Sequence, residues 1–271
     1  MKRFLSPKGL IGLALIILVI LAAVLAPLVL PADFATRMSM SARLRPPSAA
    51  HWLGTDQLGR DLLYRVMLGG QTSLKIAGAA VVMSIVLGLP IGLIAGYYRG
   101  HVDNVLMRLV DTLLSFPVLL LALTISAMLG PSLPNTIIAI GVAFSPFIAR
   151  IIRGEALRVA QMPYVEAARA AGTNDLQMVL RHILPNIMPP IIVQATLSLA
   201  FAILAEAGLS FLGLGTQPPQ SSWGLMIQAS RDYLDVAPWT ALVPGAAVAV
   251  TVLGLNMSGD ILRDVFDPRA N

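Results

Sequence analysis

Long apolar stretches leave this chain very little choice of architecture. Crossing a hydrocarbon core of about 30 Å takes about 20 apolar residues in helix. Six stretches come close to that length or exceed it, some with interruptions: 9–30, 73–97, 113–129, 135–152, 187–212 and 237–257. Lipid offers the backbone no hydrogen-bond partner, so each stretch must satisfy its own polar groups as a helix. Composition agrees: 56% of the 271 residues are hydrophobic and only 12% charged, where soluble domains carry about 25% charged residues. The sequence therefore reads as an all-α membrane protein with six transmembrane helices.

Lys2, Arg3 and Lys8 lead into the first stretch. A cleavable signal peptide has an apolar core of about 7–15 residues. This one is longer, so 1–30 is expected to be a retained N-terminal anchor helix. With six crossings both termini share one side. Placing the N-terminus inside puts twelve of the 19 Lys and Arg in the cytoplasm and seven outside, the bias that the positive-inside rule expects for N-in/C-in.

The remaining organisation follows: an extracytoplasmic segment over 31–72, a five-helix transmembrane unit over 73–262, and a cytoplasmic tail over 263–271. The outer segment contains HWLGTDQLGRDLLYR and is too long for a tight turn. It reads as a structured cap, with a binding site as the alternative. On a short helix through LLYRVML, Asp61 and Arg65 would form an i, i+4 pair.

The net charge of +5 comes without the basic stripe interleaved with aromatics that marks a nucleic-acid surface. No cysteine is present, which removes disulfides, thiolate nucleophiles and cysteine metal sites. His51, His101 and His182 lack the i, i+4 spacing of a helical metal site, and the G-x-x-x-x-G-K-[ST] phosphate loop is missing. Neither a G-x-S-x-G elbow, nor H-E-x-x-H, nor paired intramembrane aspartates occur. The expectation is a chain that does no chemistry and holds no metal or cofactor.

Two features lie within the apolar stretches. Gly88, Gly92 and Gly96 recur every four residues, a small-residue face on which a neighbouring helix can approach closely; which helix is not readable. Glu206 lies deep in the fifth stretch, and Gln194 and Ser198 fall on an adjoining sector of the same helix. Asn256 sits at the inner end of the sixth. An ionisable residue at such depth faces a cavity, a partner or the bundle interior. Two readings stay open: Gln194, Ser198, Glu206 and Asn256 mark a polar translocation path, or a protonated Glu206 makes an interhelical hydrogen bond. A proton-coupled carrier using Glu206 is a further alternative.

Between the fourth and fifth stretches comes a polar, arginine-bearing segment, YVEAARAAGTNDLQMVLRHILP. Pro163 can start a helix, where its missing N–H costs nothing. Alanine-rich sequence continues it, and Gly172 is placed for a C-terminal cap. Asn174 offers a second N-cap with Gln177 three residues on, and that second helix is expected to end near Pro185. The product is a helix–glycine–helix elbow with a close-approach surface at Ala167, Ala168, Ala170 and Ala171, flanked by Glu166 and Arg169.

Glu166-Ala167-Ala168, then Gly172, then Leu184-Pro185, resembles the EAA loop of permease subunits of binding-protein-dependent ABC importers; the loop would occupy 155–186. His182 stands where that pattern usually has isoleucine. GTDQLGRD at 54–61, SFLGLGTQPP at 210–219 with WG at 223–224, and GDILRDVFDP at 259–268 resemble the C-type permease of dipeptide, oligopeptide and nickel importers. The resemblance implies a type I ABC importer permease fold in a bacterial inner membrane. It implies ATPase coupling through Glu166, Ala167, Ala168, Arg169, Gly172, His182, Leu184 and Pro185. It also implies partners: a paralogous permease, two cytosolic ATPases that bind ATP and magnesium, and an extracytoplasmic binding protein. Peptides are the expected cargo, with nickel chelate, glutathione or opine as alternatives.

Overall fold

The computed structural model describes residues 7–29 and 37–266. Lys2, Arg3, Arg269, the last residues of the tail and the start of the outer segment lie outside them. Ten helices follow in chain order: α1 (Pro7–Val29), α2 (Leu62–Tyr98), α3 (Gly100–Leu114), α4 (Val118–Leu129), α5 (Leu133–Val159), α6 (Pro163–Ala170), α7 (Asp175–Gln177), α8 (Leu184–Phe211), α9 (Trp223–Ala229) and α10 (Trp239–Phe266). A π-helical turn, Met178–Ile183, joins α7 to α8 without a break. No strand occurs among the described residues.

α2 is the spine. Its 37 residues make a rod about 55 Å long, and its glycine face packs on α5. A methyl group placed on Gly88 would fall 2.8 Å from the Ser145 carbonyl oxygen; on Gly92, 2.5 Å from that of Ala149; on Gly96, 2.7 Å from Ala156 Cβ. Partner numbers rise in step along both helices, so α2 and α5 run parallel. The backbones touch, which only glycine permits at these three positions. Ile76, Ala77, Ala80, Ile140, Ala143, Ile203 and Leu209 fill the main core.

Among the described residues, four helices are long and apolar enough to cross a membrane, and the α3–α4 pair makes a fifth if it counts as one bent span. Its bend, 85°, revises the third expected stretch. Residues 113–129 are not one helix: α3 stops at Leu114, and α4 starts only after Pro117, whose ring nitrogen cannot donate to the preceding turn. α3 is held along α5 by Arg153, whose Nε and Nη2 donate to the two oxygens of Asp103 at 2.5 and 2.6 Å. Arg150 pairs with Asp111 one helical stretch further on.

Two further expectations are revised. LLYRVML is the opening of α2 rather than a separate short helix, and Asp61 is its N-cap, accepting from the amides of Leu63 and Tyr64 and paired with His51 at 2.9 Å. With Asp61 so engaged, Arg65 turns instead to Asp56, at 3.3 Å. Pro185 does not end a helix. It falls in the first turn of α8, directly after the π-turn, where its missing N–H is tolerated, and the helix runs on to Phe211.

Candidate functional site

The elbow is built as its sequence suggests. α6 begins at Pro163 and closes at Gly172, whose φ of +82° suits glycine. The Gly172 amide donates to the Arg169 carbonyl and that of Thr173 to Ala168, the paired bonds of a Schellman ending. Asn174 Oδ1 then accepts from the Gln177 amide at 2.9 Å. On its inner face Val165 is fully buried with Met178, Ile183 and Ile187. Burying one such side chain stabilises by about 1.5–3 kcal/mol, enough to seat a two-turn helix on the π-turn.

The outer face of α6 is small and open: Glu166, Ala167, Ala170 and Ala171 are all exposed, beside an exposed Tyr164. Arg169 is exposed too, and its guanidinium lies over the Tyr97 ring, 5.9 Å from the centroid. Ala168 and Leu184 are half-buried against the inner cluster. His182 is half-buried within the π-turn, and its carbonyl accepts from Asn186 Nδ2 at 2.7 Å. Pro185 is exposed. The eight predicted coupling positions therefore divide between an outer surface (Glu166, Ala167, Arg169, Gly172, Pro185) and the packing beneath it.

Sequence reading missed the anchor. Tyr97, at the last turn of α2, donates its hydroxyl to Asp175 Oδ1 at 2.7 Å while its ring carries Arg169. One residue thus ties α2 to both arms of the elbow. The only available signal was an aromatic at the polar end of a glycine-lined helix.

The polar positions of α8 separate into two sites. Glu206 is fully buried. Ser73 Oγ of α2 donates to its Oε2 at 2.9 Å, and Ser210 Oγ to its Oε1 at 2.8 Å. Those hydroxyls accept in turn from the amides of Trp223, at 3.2 Å, and Thr216, at 3.2 Å. Glu206 therefore braces α2, α8, the 212–216 turn and the start of α9. Gln194 and Ser198 pair with each other at 3.4 Å, three turns nearer the elbow. A methyl group on Gly259 would meet Leu197 and Thr196, which packs the end of α10 on this part of α8 but brings no contact of Asn256 with the pair. No cluster of three potential metal ligands occurs among the described residues.

Comparison with known proteins gives this geometry its context. Residues 88–271 match the family described as binding-protein-dependent transport system inner membrane component. A Brucella suis biovar 1 (strain 1330) protein, provisionally named as a peptide transport system permease, is 49% identical over 259 residues, covering 96% of this chain and 87% of that one. The dipeptide transport system permease of Alkalihalophilus pseudofirmus is 44% identical, covering 96% and 86%. A glutathione transport system permease of Escherichia coli O6:K15:H31 is 41% identical, covering 94% and 84%. Among solved structures, an inward-facing methionine ABC transporter superposes with TM-score 0.62 at 20% identity, covering 75% of this chain and 97% of that one. The chain is thus a multi-pass membrane permease of type I ABC importer fold, and it belongs to the binding-protein-dependent transport system inner membrane component family.

Proposed function

We propose that the chain is one of two permease subunits of an importer for di- and oligopeptides, and that the elbow is where ATPase motion enters the membrane. The observation that carries this reading is the outer face of α6: a small, open helical surface on a rigidly capped elbow, anchored through Tyr97 to α2. Peptide cargo is supported by relatives named as peptide and dipeptide permeases; the glutathione relative is itself named for a peptide-like solute. ATP and magnesium would be held by two cytosolic ATPases, and cargo delivered by an extracytoplasmic binding protein.

Six crossings with both termini in the cytoplasm accord with the parallel packing of α2 on α5. α2 and α5 can both cross in the same direction only if the chain between them crosses back, and we assign that return to the bent α3–α4 pair. α8 then leads away from the elbow and α10 back toward it. Gln194, Ser198 and Asn256 are the polar positions we assign to the path, and Glu206 is assigned to bracing it.

No bond is made or broken by this subunit. Closure of the ATPases would favour one of two bundle arrangements, and a ligand shifts such an equilibrium only through a difference in its affinity for the two. The elbow supplies that difference: α6 reports to α2 through Tyr97 and to α8 through the π-turn. Glu166→Lys or Gly172→Asp is expected to abolish uptake of radiolabelled dipeptide at normal subunit abundance, with the ATPases still hydrolysing ATP. Normal uptake by both variants would refute the coupling role.

A further inference from the structure

Two segments far apart in sequence meet at the end of the bundle remote from the elbow. Gln57 and Arg60 come from the turn before α2, Gln217 and Gln220 from the loop after α8, and Gln71 and Gln228 from α2 and α9. They enclose a cavity of about 870 Å³, within the range of about 300–1,000 Å³ in which small ligands are bound. The cavity wall contains Gln57 and Arg60 of GTDQLGRD and Gln217 of GTQPP, positions to which neither the helix seams nor the elbow gives a role.

The chemistry of this wall is specific. A glutamine amide presents one acceptor and one donor group, the same pair that a peptide bond offers. The side-chain amides of Gln57, Gln220 and Gln228 make no hydrogen bond among the described residues. Gln217 spends its NH₂ on the carbonyls of Gly213 and Gly215, at 3.1 and 3.3 Å, and Gln71 on that of Ala23, at 2.6 Å. Each of those two keeps its oxygen as an acceptor. Charge completes the pattern: Arg60 Nε at 2.7 Å and Arg65 Nε at 3.3 Å share one oxygen of Asp56. Two guanidiniums on one carboxylate leave one positive charge beside the cavity, in the planar form that matches a second carboxylate.

We infer that this cavity is a receiving site for short peptides with a free C-terminal carboxylate, the glutamines engaging peptide bonds and the Arg60–Arg65 pair the carboxylate. The inference rests on the peptide reading above. A docking face for the binding protein is the rival; a pocket in which Gln57, Gln71, Gln217 and Gln228 are half-buried, with only Gln220 of the amides exposed, suits a small solute better than the surface of a folded lobe.

The chain has no cysteine, so Gln57→Cys and Gln228→Cys each add a single thiol to it. Each variant is assembled with its partners in vesicles, and thiol alkylation by a small maleimide is timed against the unsubstituted complex. The additions are trialanine, trialanine amide, or ligand-free binding protein, each alone. Trialanine at ten times its half-protecting concentration is expected to slow alkylation about tenfold, since empty sites fall as one plus ligand over Kd. The amide at equal concentration should protect less than about twofold, having lost the charge-assisted contact. Normal trialanine uptake without protection at either thiol overturns the receiving site and leaves the peptide reading intact. Protection by ligand-free binding protein alone overturns it in favour of a docking face. Failure of the unsubstituted transporter to take up any di- or tripeptide overturns both readings.

Discussion

Gly92→Ala adds one methyl group where two helix backbones already touch. The new Cβ would lie 2.5 Å from the Ala149 carbonyl oxygen and 2.8 Å from Ile152 Cβ. Ordinary contact begins near 3.4 Å, so α2 and α5 must part by about 0.9 Å. No rotamer change can relieve this, because the first obstacle is backbone. Overpacking of this kind costs about 1–3 kcal/mol, and separation at Gly92 also loosens the contacts of Gly88 and Gly96. Gly78 provides the comparison, since it lies on the same helix with nothing within 4 Å of an added methyl. Gly78→Ala gains only the helix preference for alanine, about 0.5–1 kcal/mol. That preference is common to both sites, so it cancels and leaves a difference of about 1–3 kcal/mol set by the seam alone. Apparent melting temperatures of the two variants, in the same detergent at one scan rate, measure it. Equal melting temperatures would refute the backbone contact between α2 and α5.

Three other perturbations test the remaining contacts. Glu206→Leu removes the acceptor of two buried hydroxyls and should cost about 2–6 kcal/mol; Glu206→Gln, which keeps one oxygen, should cost less. Protease cleavage within 212–222 reads this, and equal cleavage in both variants would refute the bracing role. Tyr97→Phe loses the hydroxyl bond to Asp175 but keeps the ring under Arg169, for a cost of about 1 kcal/mol. It should speed hydrogen exchange at residues 175–177, and unchanged exchange would refute the anchor. Arg153→Met strands Asp103 against α5 at a cost of about 1–3 kcal/mol, the pair being partly exposed. The double variant with Asp103→Leu should recover most of that loss in melting temperature, and failure to recover would show that the pair does not act as a unit.

How much of this was legible in the sequence follows from the range of each signal. The elbow was readable almost residue by residue, because Pro163, Gly172 and Asn174 act through bonds no more than five residues long. The apolar stretches were readable because backbone satisfaction in lipid is a local demand, and α5, α8 and α10 appear close to where that demand put them. Errors arose where neighbours in space overrode local preference. Pro185 looked like a stop, but the π-turn before it moves it to a first-turn position. Residues 113–129 looked like one span, yet hydropathy carries no record of a bend, and Pro117 inside the stretch was the signal passed over. Asp61 and Arg65 had the spacing of a pair, but spacing does not show that Asp61 was already committed to the cap of α2 and to His51. The glycine register of α2 announced a close neighbour without naming it, because small residues specify distance and not identity. Glu206 shows the same limit more sharply. Its depth demanded hydrogen-bond donors, and its sequence neighbourhood offered Ser210, but Ser73, Thr216 and Trp223 come from other elements that only the folded chain assembles. The cavity of glutamines lies furthest from sequence reasoning: each amide alone is an ordinary loop or helix residue, and what distinguishes them is that two distant segments turn them toward a shared space beside an unbalanced arginine pair.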